Sequence, residues 1–186
     1  ARSLFSELLK TTAQNVAIIP SASYGLQIAA NNIRIASGSK ILILENQFPS
    51  NVYPWKRAAK MNNAEIVTIS IPEQEASTQY ILDQLDETVS VVAVPNILWT
   101  NGSLVALKEI SRKCREIDAE LVLDLTQSAG AFYIDLTEID PAFAITANYK
   151  WMLGPYTTGF LYVSSRYLEG TPLEEGWIQR KNSKDF

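Results

Sequence analysis

The chain has 186 residues, of which 47% are hydrophobic and 19% are charged, and its formal net charge is −4. This composition is typical of one globular domain with a sizeable core, and it argues against a disordered chain. The sequence has no histidine and a single cysteine, Cys114, which excludes Ser-His-Asp and Cys-His catalysis, the commonest zinc sites and any intrachain disulfide.

Helical periodicity and short apolar runs alternate along the chain. Helices are predicted at 1–12, 26–33, 52–61, 78–85 and 107–117. Strands are predicted at 16–19, 41–44, 66–69, 89–94, 121–125, 143–146 and 159–163. The strands are apolar throughout, which indicates a sheet covered by helices on both faces. We therefore predict an α/β fold, a three-layer α/β/α domain with a mostly parallel seven-stranded sheet.

The same patterns limit the cell compartment and the partners. Cys114 falls on the apolar face of a predicted helix, so a buried structural thiol is favoured over a reactive one. One cysteine fits a reducing compartment, and we expect a cytoplasmic protein. No Arg-rich run, apolar run of ~20 residues or secretory signal is present. We expect no nucleic-acid, membrane or metal partner.

The polar residues most useful for predicting function follow the strands. In mostly parallel sheets, ligands bind beyond the carboxyl ends of the strands. The small polar turn after the first strand opens a helix, and its free N–H groups and hydroxyls suit a phosphate, although its serines could be plain N-caps. The residues at these ends are Ser21, Ser23, Asn96, Asp124, Gln127 and Lys150.

Asp124 and Lys150 pose the main question, because each ends an apolar run and a buried charge needs a partner. They either pair with each other or both face a third body. If they face a third body, the Asp124 carboxylate could hold a pyridinium nitrogen, and a partly desolvated Lys150 could attack an aldehyde. Both functions belong to the chemistry of pyridoxal 5'-phosphate (PLP). No Gly-x-Gly-x-x-Gly or Gly-Lys-Ser/Thr element supports a dinucleotide or Walker-type site.

Two motifs resemble the class V aminotransferase family, fold-type I PLP enzymes that include cysteine desulfurases, kynureninases and isopenicillin N epimerase-like proteins. The first motif is Leu123-Asp124-x-Thr126-Gln127-Ser128-x-Gly130. The second is Tyr149-Lys150-Trp151-x-x-Gly154-Pro155, followed by Gly159-Phe160. The resemblance covers residues 1–165, and the turn from Gln47 to Ser50 resembles a family loop near the cofactor and substrate.

The resemblance implies a role for each matching residue. Lys150 would form a Schiff base with PLP, and Asp124 would contact its pyridine nitrogen. Gln127 would bind the phenolic oxygen, while Ala22 and Ser23 would take the phosphate.

The sequence also departs from the family pattern. Asn96 stands where members commonly stack a histidine or another ring on the cofactor, and Trp99 could either substitute for that ring or serve only in aromatic packing. Tyr149 stands where many desulfurase-type members have histidine, and Ala147 where they have serine, so one phosphate hydroxyl could be absent. These departures bear on affinity and reaction type more than on the fold.

The resemblance implies an enzyme acting on an amino acid as an aminotransferase, a lyase or desulfurase, or an epimerase, within a homodimer. The alternatives are a non-catalytic or truncated PLP-fold module for dimerisation or partner binding, and a plain nucleotide-binding sheet. The chain is expected to be a piece of a longer protein. Residues 1–165 would form the PLP-binding domain, and 166–186 would begin the connection to a smaller C-terminal domain. That domain usually supplies an arginine for the substrate carboxylate, and it is expected to be absent here unless Arg180 begins it.

Overall fold

The computed structural model describes residues 1–72, 77–177 and 181–185. The strands are β1 Val16–Ile19, β2 Lys40–Leu44, β3 Glu65–Ile69, β4 Val89–Pro95, β5 Glu120–Asp124, β6 Phe143–Ala147 and β7 Gly159–Val163. The helices are α1 Arg2–Leu8, α2 Ala22–Asn32, α3 Tyr53–Asn62, α4 Ser77–Leu82, α5 Leu107–Glu116 and α6 Leu136–Ile139. Short 3-10 turns lie at Ala13–Asn15, Pro49–Asn51 and Ser165–Tyr167.

The strands form one sheet in the order β1-β7-β6-β5-β4-β2-β3. β7 runs antiparallel to both of its neighbours, and the other pairs are parallel. The predicted mostly parallel seven-stranded sheet is therefore confirmed. Because β1 and β6 each oppose β7, β1 points in the same direction as β2 to β6, and the carboxyl ends of these six strands meet at one edge.

The apolar strands are explained by a separate hydrophobic core on each face of the sheet. In β2, Ile41 and Ile43 pack in the core that contains α2 and α3, while Leu42 and Leu44 pack in the core that contains α1, α4, α5 and α6. Both sets of side chains are buried, so the period-two alternation of a half-exposed strand is absent. This arrangement is the predicted three-layer fold.

The helices differ from the predictions in four places, one of which is that α4 ends at Leu82, three residues before its predicted end. The helix predicted at 1–12 ends at Leu8, and Lys10 then takes a positive φ of 54°. α2 begins at Ala22, four residues earlier than predicted, because Ser21 is an extended N-cap whose side chain accepts the N–H of Tyr24. α6 was not predicted, since its four residues are too few to show helical periodicity.

Cys114 is buried in the core, as predicted, and burial raises the pKa of its thiol to about 12. A thiol with this pKa carries almost no thiolate at neutral pH, so a packing role is supported. The cytoplasmic location inferred from the single cysteine stays a prediction. Within the described residues, no helix is both long and apolar enough to cross a membrane.

The segment after β7 returns to the outer surface of α2. The Asn32 side chain accepts from the backbone N–H of Thr171 at 2.7 Å and donates to its carbonyl at 2.9 Å. The division between residues 1–165 and 166–186 stays a prediction. Arg180 lies outside the described residues.

Candidate functional site

A cavity of about 330 Å³ opens at the carboxyl edge of the sheet. Its walls come from the start of α2, the segment after β2, the ends of β4 and β5, and the loop that joins β6 to β7. The sheet thus brings together residues that are up to 138 positions apart, as for Pro20 and Thr158. The predicted site residues that line the cavity are Ala22, Ser23, Asp124, Gln127, Tyr149 and Lys150.

The first turn of α2 gives Ser21 and Ser23 different roles. Ser21 caps the helix, with its Oγ 3.1 Å from the N–H of Tyr24. The Ser23 hydroxyl instead donates to the Ser50 hydroxyl at 2.7 Å. The N-cap alternative therefore holds for Ser21, whereas Ser23 presents a hydroxyl to the cavity beside the free N–H groups of the helix.

Asp124 ends β5 and is only 7% exposed. Its Oδ1 accepts the N–H of Thr126 at 3.0 Å. Burial raises the pKa of Asp124, while hydrogen bonds from Thr126 and the charge of Lys150 act in the opposite direction. A buried carboxylate with so little compensation favours a cationic partner in the cavity.

Lys150 lies in the loop between β6 and β7. This loop is closed where the N–H of Asn148 donates to the carbonyl of Thr158 at 3.0 Å. The Lys150 ammonium group lies 5.9 Å from the centre of the Phe48 ring, within the range of a cation–π contact. No direct ion pair within 4.0 Å joins Lys150 to Asp124, so the two charges do not satisfy each other in this structure.

Gly130 explains why the two sequence motifs occur together. It has a φ of 92°, and a Cβ at this position would lie 2.7 Å from the carbonyl oxygen of Trp151. The loop after β5 and the loop that carries Lys150 therefore touch through their backbones. A glycine is required at this contact, because any side chain would clash with the neighbouring backbone and strain its own.

Asn96 is placed elsewhere. It is buried, its Nδ2 donates to the carbonyl of Val105 at 3.1 Å, and it lines a separate hollow that also includes Phe132. The aromatic rings that line the cavity belong to Phe48, Trp99, Tyr149 and Tyr156. The ring centroids of Trp99 and Phe48 lie 5.7 Å apart in an edge-to-face arrangement. The indole N–H of Trp99 donates to the carbonyl of Asn46 at 2.7 Å.

The cavity also contains residues that were not predicted as site residues. Gln47 is of most interest, because its Nε2 is buried and has no hydrogen-bond partner, while its side-chain oxygen accepts the N–H of Phe48. The turn from Gln47 to Ser50 was singled out in the sequence only as a loop, and Thr126 only as a motif position. Tyr156, Thr157 and Thr158 gave no signal, since their proximity depends on the path of the β6–β7 loop.

A profile of the family described as Aminotransferase class-V matches residues 1–179. The chain belongs to the class-V aminotransferase family. It is 27% identical over 165 residues to a probable cysteine desulfurase of Methanothermobacter thermautotrophicus. The matched region covers 89% of this chain and 41% of that protein. It is 23% identical over 154 residues to a kynureninase of Bacillus cereus, and that match covers 80% of this chain and 36% of the kynureninase.

Solved structures of a cysteine desulfurase and of C-DES share the fold. The apo cysteine desulfurase of Thermococcus onnurineus NA1 superimposes with a TM-score of 0.81 at 19% identity, covering 89% of this chain and 42% of that one. A C-DES mutant with glycine covalently linked to its PLP cofactor gives a TM-score of 0.82 at 19% identity, with coverage of 90% and 46%. The fold is that of fold-type I PLP enzymes, as the resemblance implied. The chain spans less than half the length of these relatives.

Proposed function

We propose that this chain is the PLP-binding part of a class-V aminotransferase-family enzyme that acts on an amino acid. The observation that carries the proposal is that one cavity presents the Lys150 amine, the buried Asp124 carboxylate and the Ser23 hydroxyl, with no ion pair between the two charges. This combination matches three of the polar groups of PLP, which are its aldehyde, its pyridine nitrogen and its phosphate.

The residues present fit the cofactor. The hydroxyls of Ser23 and Ser50 and the free N–H groups of α2 suit the phosphate, because a helix N-terminus favours a dianion. The carboxylate of Asp124 is buried without a bound cation, and a protonated ring nitrogen would supply one. Gln127 lines the same cavity and would reach the phenolic oxygen, as the family resemblance implied.

When bound, PLP supplies an electron sink for bonds to the α carbon of an amino acid. Asp124 would hold the proton on the ring nitrogen, which would keep that sink effective. The Nζ of Lys150 would hold the cofactor at its aldehyde, and the freed amine would move the proton of the substrate α carbon as acid and base. Transamination, elimination including desulfuration, and epimerisation all use these roles, and the proposal covers the three.

We also propose that the active protein is a homodimer. Three apolar side chains of the Lys150 loop are largely exposed, with Trp151 at 57%, Leu153 at 90% and Tyr156 at 75%, and Tyr156 also lines the cavity. Exposed apolar groups clustered next to a binding site favour an interface with another protein surface. The same observation favours the second candidate function, a non-catalytic PLP-fold module that serves dimerisation or partner binding.

Titration of the purified protein with PLP, followed by visible absorbance, tests the cofactor proposal. We expect a visible band for the native protein and for Lys56→Ala, a matched control because Lys56 is exposed on α3 outside the cavity. We expect no such band for Lys150→Ala. Absence of binding to the native protein would contradict the proposal. Turnover across an amino-acid panel then separates the enzyme from the non-catalytic module.

A further inference from the structure

Thr126 connects the end of β5 to the end of β6. Its backbone N–H donates to Oδ1 of Asp124 at 3.0 Å, and its hydroxyl accepts the N–H of Ala147 at 3.1 Å. Thr126 also lines the cavity. One residue therefore fastens the Asp124 carboxylate to the last residue of β6, three positions before Lys150.

We propose that Thr126 is a positioning residue that acts on the cofactor through Asp124, an inference that rests on the proposed function. Its N–H occupies one lone pair of the carboxylate, and its hydroxyl fixes the turn after β5 against β6. A carboxylate offers about four acceptor sites, so the Asp124 carboxylate keeps capacity for the ring nitrogen. Thr126 thus sets both the direction of the carboxylate and its distance from the Lys150 loop.

The electrostatics of Asp124 agree with this role. Burial raises the pKa of Asp124, and the hydroxyl and N–H of Thr126 lower it, as does the charge of Lys150, which faces Asp124 from the β6–β7 loop. Loss of the hydroxyl would leave burial less opposed, so the carboxyl would become neutral at a higher pH. A neutral carboxyl cannot hold a protonated ring nitrogen through an ion pair.

A merely structural role for the hydroxyl is the competing explanation, and Thr146 provides the matched control. Thr146 is buried on β6, does not line the cavity, and its hydroxyl donates to the carbonyl of Ala147 at 3.0 Å. Thr146→Val removes a buried hydroxyl beside Ala147, the residue that Thr126 also contacts, without touching Asp124. Its effects report on packing alone.

The test uses the PLP-loaded protein in its native, Thr126→Val, Thr126→Ser and Thr146→Val forms. We measure the PLP dissociation constant, the pH midpoint of the visible band and the melting temperature. Thr126→Val should bind PLP about tenfold more weakly, since the hydrogen bond that fixes the turn after β5 against β6 is lost, and its midpoint should move to higher pH. Thr126→Ser should restore both values, and Thr146→Val should change only the melting temperature.

The outcomes separate this inference from the proposed function. A native protein that does not bind PLP refutes the proposed function and the inference with it. A native protein that binds PLP, with a Thr126→Val variant whose pH midpoint is unchanged, refutes the inference alone. An equal shift in Thr146→Val also refutes it. Thr126→Ala removes the same hydroxyl without placing a methyl group there, and repeats the test if the valine variant does not fold.

Discussion

The Ser23 hydroxyl donates to the Ser50 hydroxyl across 2.7 Å, which joins the first turn of α2 to the 3-10 turn after β2. Both residues line the cavity. Two hydroxyls from different elements are therefore presented beside the free N–H groups of one helix. We propose that Ser50 supplies the hydroxyl that the resemblance to desulfurase-type members implied at the position of Ala147.

The first prediction concerns this hydroxyl pair. Ser23→Ala and Ser50→Ala should each weaken PLP binding about tenfold, because each removes a hydrogen bond to a charged phosphate. Binding of pyridoxal, which lacks the phosphate, should change little. The two dissociation constants are measured for each variant, with Ser3→Ala on α1 as the control. Equal losses for PLP and pyridoxal would show that the serines act only on the fold.

The second prediction concerns Asp124 in the ligand-free protein. Because burial raises the pKa of Asp124 in the folded state, its ionisation costs stability as pH rises above the ordinary aspartate range. Asp124→Asn should therefore raise the melting temperature at pH 7 by about 2–4 °C, which is about 1 kcal/mol for a domain of this size. The gain should vanish at acidic pH, where both states carry a neutral carboxyl.

The same variant should bind PLP much more weakly, because an amide cannot neutralise the ring nitrogen. Thermal melts across pH test the predicted gain in stability of Asp124→Asn, and a PLP titration tests its predicted loss of affinity. A variant that is less stable at pH 7 than the native protein would contradict the account of Asp124 as a buried charge without a cation.

The third prediction concerns Cys114, whose pKa of about 12 leaves the thiol protonated. The native protein should react with a disulfide reagent at pH 8 only at the rate of unfolding, and the denatured protein should react at once. Cys114→Ser should lower the free energy of unfolding by about 1–3 kcal/mol, since it places a hydroxyl in an apolar core. Fast labelling of the native protein would contradict a buried thiol.

The fourth prediction concerns the exposed apolar side chains of the Lys150 loop. Leu153→Lys should weaken dimerisation at least tenfold in sedimentation experiments, because it places a charge in the proposed interface. Leu4→Lys is the control, since Leu4 is 72% exposed on α1, outside the cavity lining. A monomeric PLP-loaded protein, or an equal effect of both variants, would place the interface elsewhere or exclude it.

Strand positions were predictable from the sequence to within one residue. Both faces of each central strand are covered, so runs such as Ile41 to Leu44 are apolar without interruption. The antiparallel direction of β7 was not predicted. It follows from the connection after β6, which contains no crossover helix such as a parallel neighbour would require.

The site was predictable where function depends on strand ends, and less so where it depends on loop paths. Asp124 and Lys150 follow strands whose order along the sheet fixes their proximity. Asn96 also follows a strand, but the chain folds back so that Val105 accepts its amide. The contacts between Ser23 and Ser50 and between Thr126 and Ala147 arise from side-chain directions that no periodicity in the sequence encodes.

The most direct test of the central claim is to incubate the protein with PLP, reduce it with sodium borohydride and map the modified peptide by mass spectrometry. Reduction fixes the bond between the cofactor aldehyde and the amine that holds it. We predict a single modified residue, Lys150, and no stable modification in Lys150→Ala. Modification at another lysine, or none in the native protein, would contradict it.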